Sequence, residues 1–179
     1  MHSSLIRRAL VTVAAVATSA TLAAPAATAQ SVSFQVGAGI NTPCETASPA
    51  DMEQLISEVH EATNRERVAA GANPVERLDS LDGIAQNWSS RMADADRMTH
   101  NPDIRTQVDQ TYRGEWSRYG ENVLQNWCGA NGDALVAQWM RSPGHRVNML
   151  RSDYTHLGVG AAVADSSKLY STQNFVRLR

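Results

Sequence analysis

"HLGVGAAVADSSKLYSTQNFVRL", residues 156–178, decides the fold class. Leu157, Val159, Ala161 and Val163 alternate with smaller residues, and "KLYSTQNFVRL" alternates in the same way. Period two is the signature of a strand with one face buried, and the short polar "ADSS" between the two runs predicts an antiparallel hairpin. Upstream the period changes. Met52, Leu55, Ile56, Val59 and Ala62 share one helical face. That helix is opened by Ser48, Pro49 and Asp51, which together spell a capping box with proline in the first turn, and it stops near Gly71. A second helix starts at Asp79 or Ser80, with an apolar stripe of Leu81, Ile84, Ala85, Trp88, Met92 and Ala95. "NGDALVAQWM" is a third, capped by Asn131, and "YGENVLQNW" is strand-like after Gly120. Between them "NPDIRTQVDQTYRGEWSR", residues 101–118, shows no period and reads as a long polar connection. Helices come first and strands late, without regular alternation. This predicts an α+β domain, helices packed on a small antiparallel sheet, rather than a parallel sheet.

The chain has 179 residues, and its first 29 read as a secretory signal peptide. Arg7 and Arg8 form a basic start, an Ala/Val/Leu-rich run follows, and Ala27-Thr28-Ala29 is a small-x-small cleavage site. Residues 30–47 read as an N-terminal arm, and 48–179 as the folded domain. The whole chain carries 16 basic and 18 acidic side chains; without the two leader arginines the balance is 14 to 18. A mildly acidic domain argues against a nucleic-acid partner, which wants a basic face. No segment of the mature chain is long and apolar enough to span a bilayer. Export implies an oxidising compartment, so the two cysteines, Cys44 and Cys128, are expected to pair.

"SPGHRVNML", residues 142–150, holds the chemistry. Ser142 can cap a helix with its hydroxyl, Pro143 suits the first helical position, and Gly144 lets another group approach the backbone. His145 then falls in the first turn, where the helix dipole disfavours the imidazolium form. A neutral imidazole beside a cleft suits a metal ligand or a general base. The bland alternative is a kink with a surface histidine. Two further residues stand out: His100 in "MTHNPD", and Glu121 in "GENV" beside Asn122. His60 reads as an exposed helix residue, His156 as a turn residue, and Trp88 and Trp139 as core, whereas Trp116 could line a groove.

The ordered set of motifs resembles the CAP superfamily of cysteine-rich secretory proteins, antigen 5 and pathogenesis-related proteins, closest to its short bacterial secreted members. The residues that carry it are Asn64, Arg67, Gly71, Pro74 and Val75, then Ala85 and Trp88, His100, "GENV", Trp139 with "SPGHRVNML", "LGVGAAV" and "STQNF". The resemblance implies an α–β–α sandwich with a cleft lined by His100, Glu121 and His145 and flanked by Tyr119, Asn122, Ser142 and Arg146. It implies that the two histidines can hold Zn²⁺ or another divalent cation, with no cofactor required. Many relatives carry a second cleft glutamate three residues after the tryptophan; Ser142 stands there in this chain. Three functions follow from the resemblance. One is a secreted, non-catalytic module that binds a lipid or sterol, an ion, or an envelope or extracellular protein. Another is a metal-assisted hydrolase of a peptide or cell-wall substrate. The third is a structural or signalling envelope protein with a vestigial cleft. The chain has no G-x-S-x-G elbow and no H-E-x-x-H pair.

Overall fold

The computed structural model describes residues 48–179. The stretches read as a signal peptide and an arm, and with them Cys44, lie outside the described residues. Nine elements follow in order: α1 Pro49–Ala69, β1 Glu76–Arg77, α2 Asp79–Asp94, α3 Ile104–Tyr112, β2 Trp116–Trp127, α4 Gly132–Arg141, α5 Pro143–Leu150, β3 His156–Val163 and β4 Lys168–Leu178. The sheet order is β1-β3-β4-β2, so β2 is an edge strand.

The capping box forms as the residue types require. The Ser48 hydroxyl accepts from the Asp51 N–H at 3.3 Å, while the Ser48 N–H donates to Asp51 Oδ2 at 2.7 Å. Asn131 accepts from the Ala134 N–H at 3.0 Å and starts α4. Gly71, at φ 78°, takes the left-handed turn that closes α1 and that a β-carbon would disfavour.

The hairpin β3–β4 is antiparallel, and β4 pairs on its other side with β2, also antiparallel. One strand departs from the expected all-antiparallel sheet: β1 runs parallel to β3, over Glu76 and Arg77 only. Two residues are too few to show an alternating pattern. A second departure is α3, which occupies part of the stretch read as a connection. Ile104 and Val108, one turn apart, are buried in it, but two apolar residues in nine leave no stripe long enough to show a period.

Alternation sends the side chains of each strand to two different layers. Leu124, Leu157, Val159, Ala161, Leu169 and Phe175 pack with Leu55, Ile56 and Val59 of α1, Leu135, Val136 and Trp139 of α4, and Met149 of α5. The opposite face meets α2 and α3 through two smaller clusters, one around Met92, Val123 and Tyr170, the other around Leu81, Ile104, Val108 and Val176. The result is an α–β–α sandwich whose outer strand β2 lies between the two helical layers. No helix among the described residues is long and apolar enough to cross a membrane.

Trp139 is fully buried, as its place in an apolar stripe implies. Trp88 is half-buried, and its indole N–H donates to the Thr99 carbonyl at 2.8 Å. Trp116 is partly buried; it packs edge-on to Tyr119 and against the α3 cluster. His60, read as exposed, is half-buried; burial pushes its imidazole below the usual range, and its Nε2 has no partner. The stripe logic missed it because His60 sits at the margin of the buried face, next to Val59.

Candidate functional site

"GENV" falls on edge strand β2, and each of its first three residues has a separate task. Gly120 lies against Tyr154: a β-carbon there would come under 3.0 Å from the Tyr154 hydroxyl oxygen. Tyr154 in turn stacks on Phe175, with ring centroids 5.3 Å apart. Asn122 is fully buried and works as a joint. Its Nδ2 donates to the His145 carbonyl and to Gln173 Oε1, both at 3.1 Å. Its Oδ1 accepts from Asn148 Nδ2 at 3.1 Å, and the same Asn148 nitrogen donates to the Glu121 carbonyl at 3.1 Å. Gln173 passes the chain on to Thr63 Oγ1 of α1 at 2.8 Å. α5, β2, β4 and α1 are thereby locked by buried, satisfied amides, which fix where His145 sits relative to Glu121.

Glu121 projects from β2 on the α2–α3 side. Its Oε1 meets His100 Nδ1 at 2.7 Å and accepts the Asn101 backbone N–H at 3.0 Å. An ionised carboxylate can only accept, so with Glu121 ionised the Nδ1 of His100 is the donor, and in the neutral ring Nε2 then keeps its lone pair. The Glu121 side chain is 5% exposed and that of His100 66%, so the acid is sheltered and the ring reaches solvent. Burial raises the Glu121 carboxyl above the ordinary range, opposed by the Asn101 N–H and His100. "NPD" holds the turn that delivers these groups: Asn101 Oδ1 accepts the Asp103 N–H at 3.0 Å, and its Nδ2 reaches Gln107 of α3 at 2.9 Å.

His145 stands at the third position of α5 and is partly buried. Burial first, and then the nearby charge of His100, hold its imidazole below the usual range, which favours the neutral ring. The structure thus brings His100 and Glu121 into contact and sets His145 within electrostatic reach of His100. The flanking residues divide. Tyr119 turns into the α3 cluster, Asn122 is the buried joint, and Arg146 is exposed.

Ser142 occupies the N-cap position of α5, but its hydroxyl makes no capping hydrogen bond. The backbone explains why. Ser48 and Asn131, whose side chains do cap, have ψ of 163° and 172°; Ser142 has ψ 116°. It also closes α4, through its N–H to the Trp139 carbonyl at 3.0 Å, and serving two helices at once sets its torsion. Among the described residues no group of three or more His, Cys, Asp or Glu is gathered for a metal ion.

Sequence reasoning missed Asn101, Asn148, Gln173 and Thr63. Asn148 and Gln173 lay inside quoted motifs, but their partners are 26 to 110 residues away and no local pattern links them.

The family model described as CAP, the cysteine-rich secretory protein family, matches residues 60–175. The chain belongs to the CAP family. The Bacillus subtilis protein YkwD is 29% identical over 134 residues, covering 73% of this chain and 50% of its own. An extracellular protein containing an SCP domain from Bacillus anthracis superposes with a TM-score of 0.59 at 28% identity, over 73% of this chain and 44% of that one. A cysteine-rich secretory protein from Staphylococcus aureus has the same fold, with a TM-score of 0.57 at 22% identity, over 73% of this chain and 40% of that one. This CAP chain therefore spans half or less of the length of these relatives.

Proposed function

We propose that the protein is an exported CAP-domain binding module whose cleft of His100, Glu121 and His145 takes a ligand without turning it over. The observation that carries this reading is the use of the cleft's carboxylate. Glu121 Oε1 is held by His100 Nδ1 and the Asn101 N–H, so the acid orients a histidine toward a ligand, and among the described residues no hydroxyl or thiol bonds that ring's Nε2 as an activated nucleophile would. Ser142, the hydroxyl beside His145 in sequence, has no hydrogen bond to that ring, so a serine nucleophile lacks its activating base.

A divalent cation is one ligand the residues fit. A histidine whose Nδ1 is tied to a carboxylate presents Nε2 in the manner of metal-ligating histidines, and a neutral His145 supplies a second nitrogen. Bound there, Zn²⁺ would act as a Lewis acid or as a bridge to a ligand's oxygen. Two protein nitrogens make a weaker site than the three or four ligands of dedicated zinc proteins. Lipids, sterols and envelope proteins remain the other ligand classes of this reading.

The test is a substrate screen on the mature chain. Peptides and peptidoglycan, with and without added Zn²⁺, should show no turnover above that of the double variant His100→Ala, His145→Ala. Turnover present in the wild type and lost in that variant would make the protein a hydrolase.

Export and the bridge belong to the same proposal. Cys128 is not a free thiol, and Cys44 is the other cysteine of the chain. Non-reducing peptide mapping of the exported protein should give one peptide joining residues 44 and 128. Labelling of both thiols in the native protein would refute the pairing.

A further inference from the structure

Behind the cleft, on the face of the sheet that meets α2, Glu121 of β2 stands directly opposite Asn174 of β4. Asn174 is 0% exposed. Neither its Oδ1 nor its Nδ2 has a hydrogen-bond partner, and the same is true of Glu121 Oε2. Three buried, unpartnered polar atoms on two facing side chains stand out against the surrounding amides. Asn122 and Gln173, equally buried, are both bonded. A buried polar atom left without a partner is costly, so a cluster of them calls for an occupant.

The surroundings say which. Directly opposed side chains on one face of an antiparallel pair have β-carbons about 5 Å apart, so the carboxylate and the amide share one space. Asn174 is opposite Gly158 on its other side, so β3 contributes no side chain to this row. α2 lies tight on that glycine: a β-carbon there would come under 3.0 Å from the Leu81 backbone, so the helix closes the site from above. Buried donors and acceptors on opposed side chains that make no direct bond are the kind of group that an internal water satisfies.

We propose that Glu121 Oε2 and the Asn174 amide enclose one bridging water molecule, and that Asn174 is a positioning residue for the cleft. The water donates to Oε2 and bonds the amide. Glu121, held from behind, keeps Oε1 on His100 Nδ1 and the Asn101 N–H. His100 is thereby kept in the tautomer with Nε2 unprotonated and facing out. The inference deepens the proposed role of the cleft, but its test needs no ligand, so a failure of ligand binding would leave it standing and its own failure would leave ligand binding standing.

Two measurements on the mature chain decide it. A crystal structure at a resolution that orders internal solvent should show one water within hydrogen-bonding distance of both Glu121 Oε2 and the Asn174 amide. A direct amide–carboxylate bond, or a dry gap, would overturn the proposal. Nitrogen-15 spectra of the His100 ring, taken where it is neutral, should show the Nδ1–H tautomer in the wild type. In Asn174→Leu, which fills the space without polar atoms, its population should fall at least threefold. Asn174→Ser, which keeps a partner for the water, should retain it. Wild-type tautomer in a folded leucine variant would refute the positioning role. If the leucine variant does not fold, the crystal structure and the serine variant still decide, since loss of the tautomer in the serine variant or a dry gap would each contradict the proposal.

Discussion

Arg67→Met should destabilise the domain by about 3–5 kcal/mol, the range for breaking a fully buried, hydrogen-bonded charge site. Arg67 is 0% exposed. Its Nε donates to the Asn73 carbonyl at 2.9 Å, its Nη1 to the Met149 and Arg151 carbonyls at 2.6 and 2.9 Å, and its Nη2 to the Tyr154 carbonyl at 3.3 Å. Those carbonyls belong to the turn after α1, to the last turn of α5 and to the link from α5 into β3. One planar fork therefore ties two irregular segments to α1, and neither has a sheet or helix ladder of its own to satisfy it. Methionine fills the volume but leaves four acceptors facing an apolar chain. Lysine keeps the charge but cannot span four carbonyls, so Arg67→Lys should recover only part of the loss. Denaturant melts of the three proteins provide the check; a loss under about 1 kcal/mol for the methionine variant would contradict the clamp.

Gly158→Ala should cost about 3 kcal/mol or more, although it adds a single carbon. That carbon would fall under 3.0 Å from the Leu81 carbonyl carbon and the Asp82 nitrogen, which are backbone atoms and cannot rotate away. α2 must lift, and overpacking of that kind costs about 1–3 kcal/mol before secondary losses. Secondary losses follow here, because α2 side chains bond the outer edge of β3. Asp82 Oδ1 accepts the Val159 N–H at 2.7 Å, and Gln86 takes both backbone groups of Ala161, at 3.0 and 2.9 Å. The same chemical change at Gly83 should have the opposite sign. Gly83 lies inside α2 with nothing within 4 Å of its would-be β-carbon, so Gly83→Ala should stabilise by about 0.5–1 kcal/mol. Equal effects at the two glycines would refute the close helix–sheet contact.

What could be read from the sequence, and what could not, divides by the range of the interaction involved. The caps at Ser48 and Asn131 and the β3–β4 hairpin depend on residues a few positions apart, and they were legible. α3 was not, since its burial rests on Ile104 and Val108 alone. Nor was the parallel pairing of β1, two residues long and defined only by contact with β3, 80 positions on. Ser142 shows a different limit: the residue type was right for a cap, but its torsion, shared between two helices, differs from that of the capping residues and its hydroxyl makes no capping bond. In the candidate site, His100, Glu121 and His145 were legible as motif members. The contact between His100 and Glu121, the Asn122 joint and the Arg67 clamp are long-range, and no local pattern encodes them.

The most direct test of the cleft is a calorimetric titration of the mature chain with Zn²⁺ at neutral pH, beside the double variant His100→Ala, His145→Ala. Burial keeps the His145 imidazole below its ordinary range, so the ring is neutral and able to ligate at neutral pH. Binding should be reversible and should weaken as the pH falls through the histidine range, because a protonated ring has no lone pair to give. The double variant should remain folded, since the His100 side chain is largely exposed and His145 is only partly buried, and it should release no binding heat. Binding in the wild type that is absent from the folded variant is the result this account predicts; equal binding in both proteins, or none in either, would contradict the assignment of a metal to these two histidines.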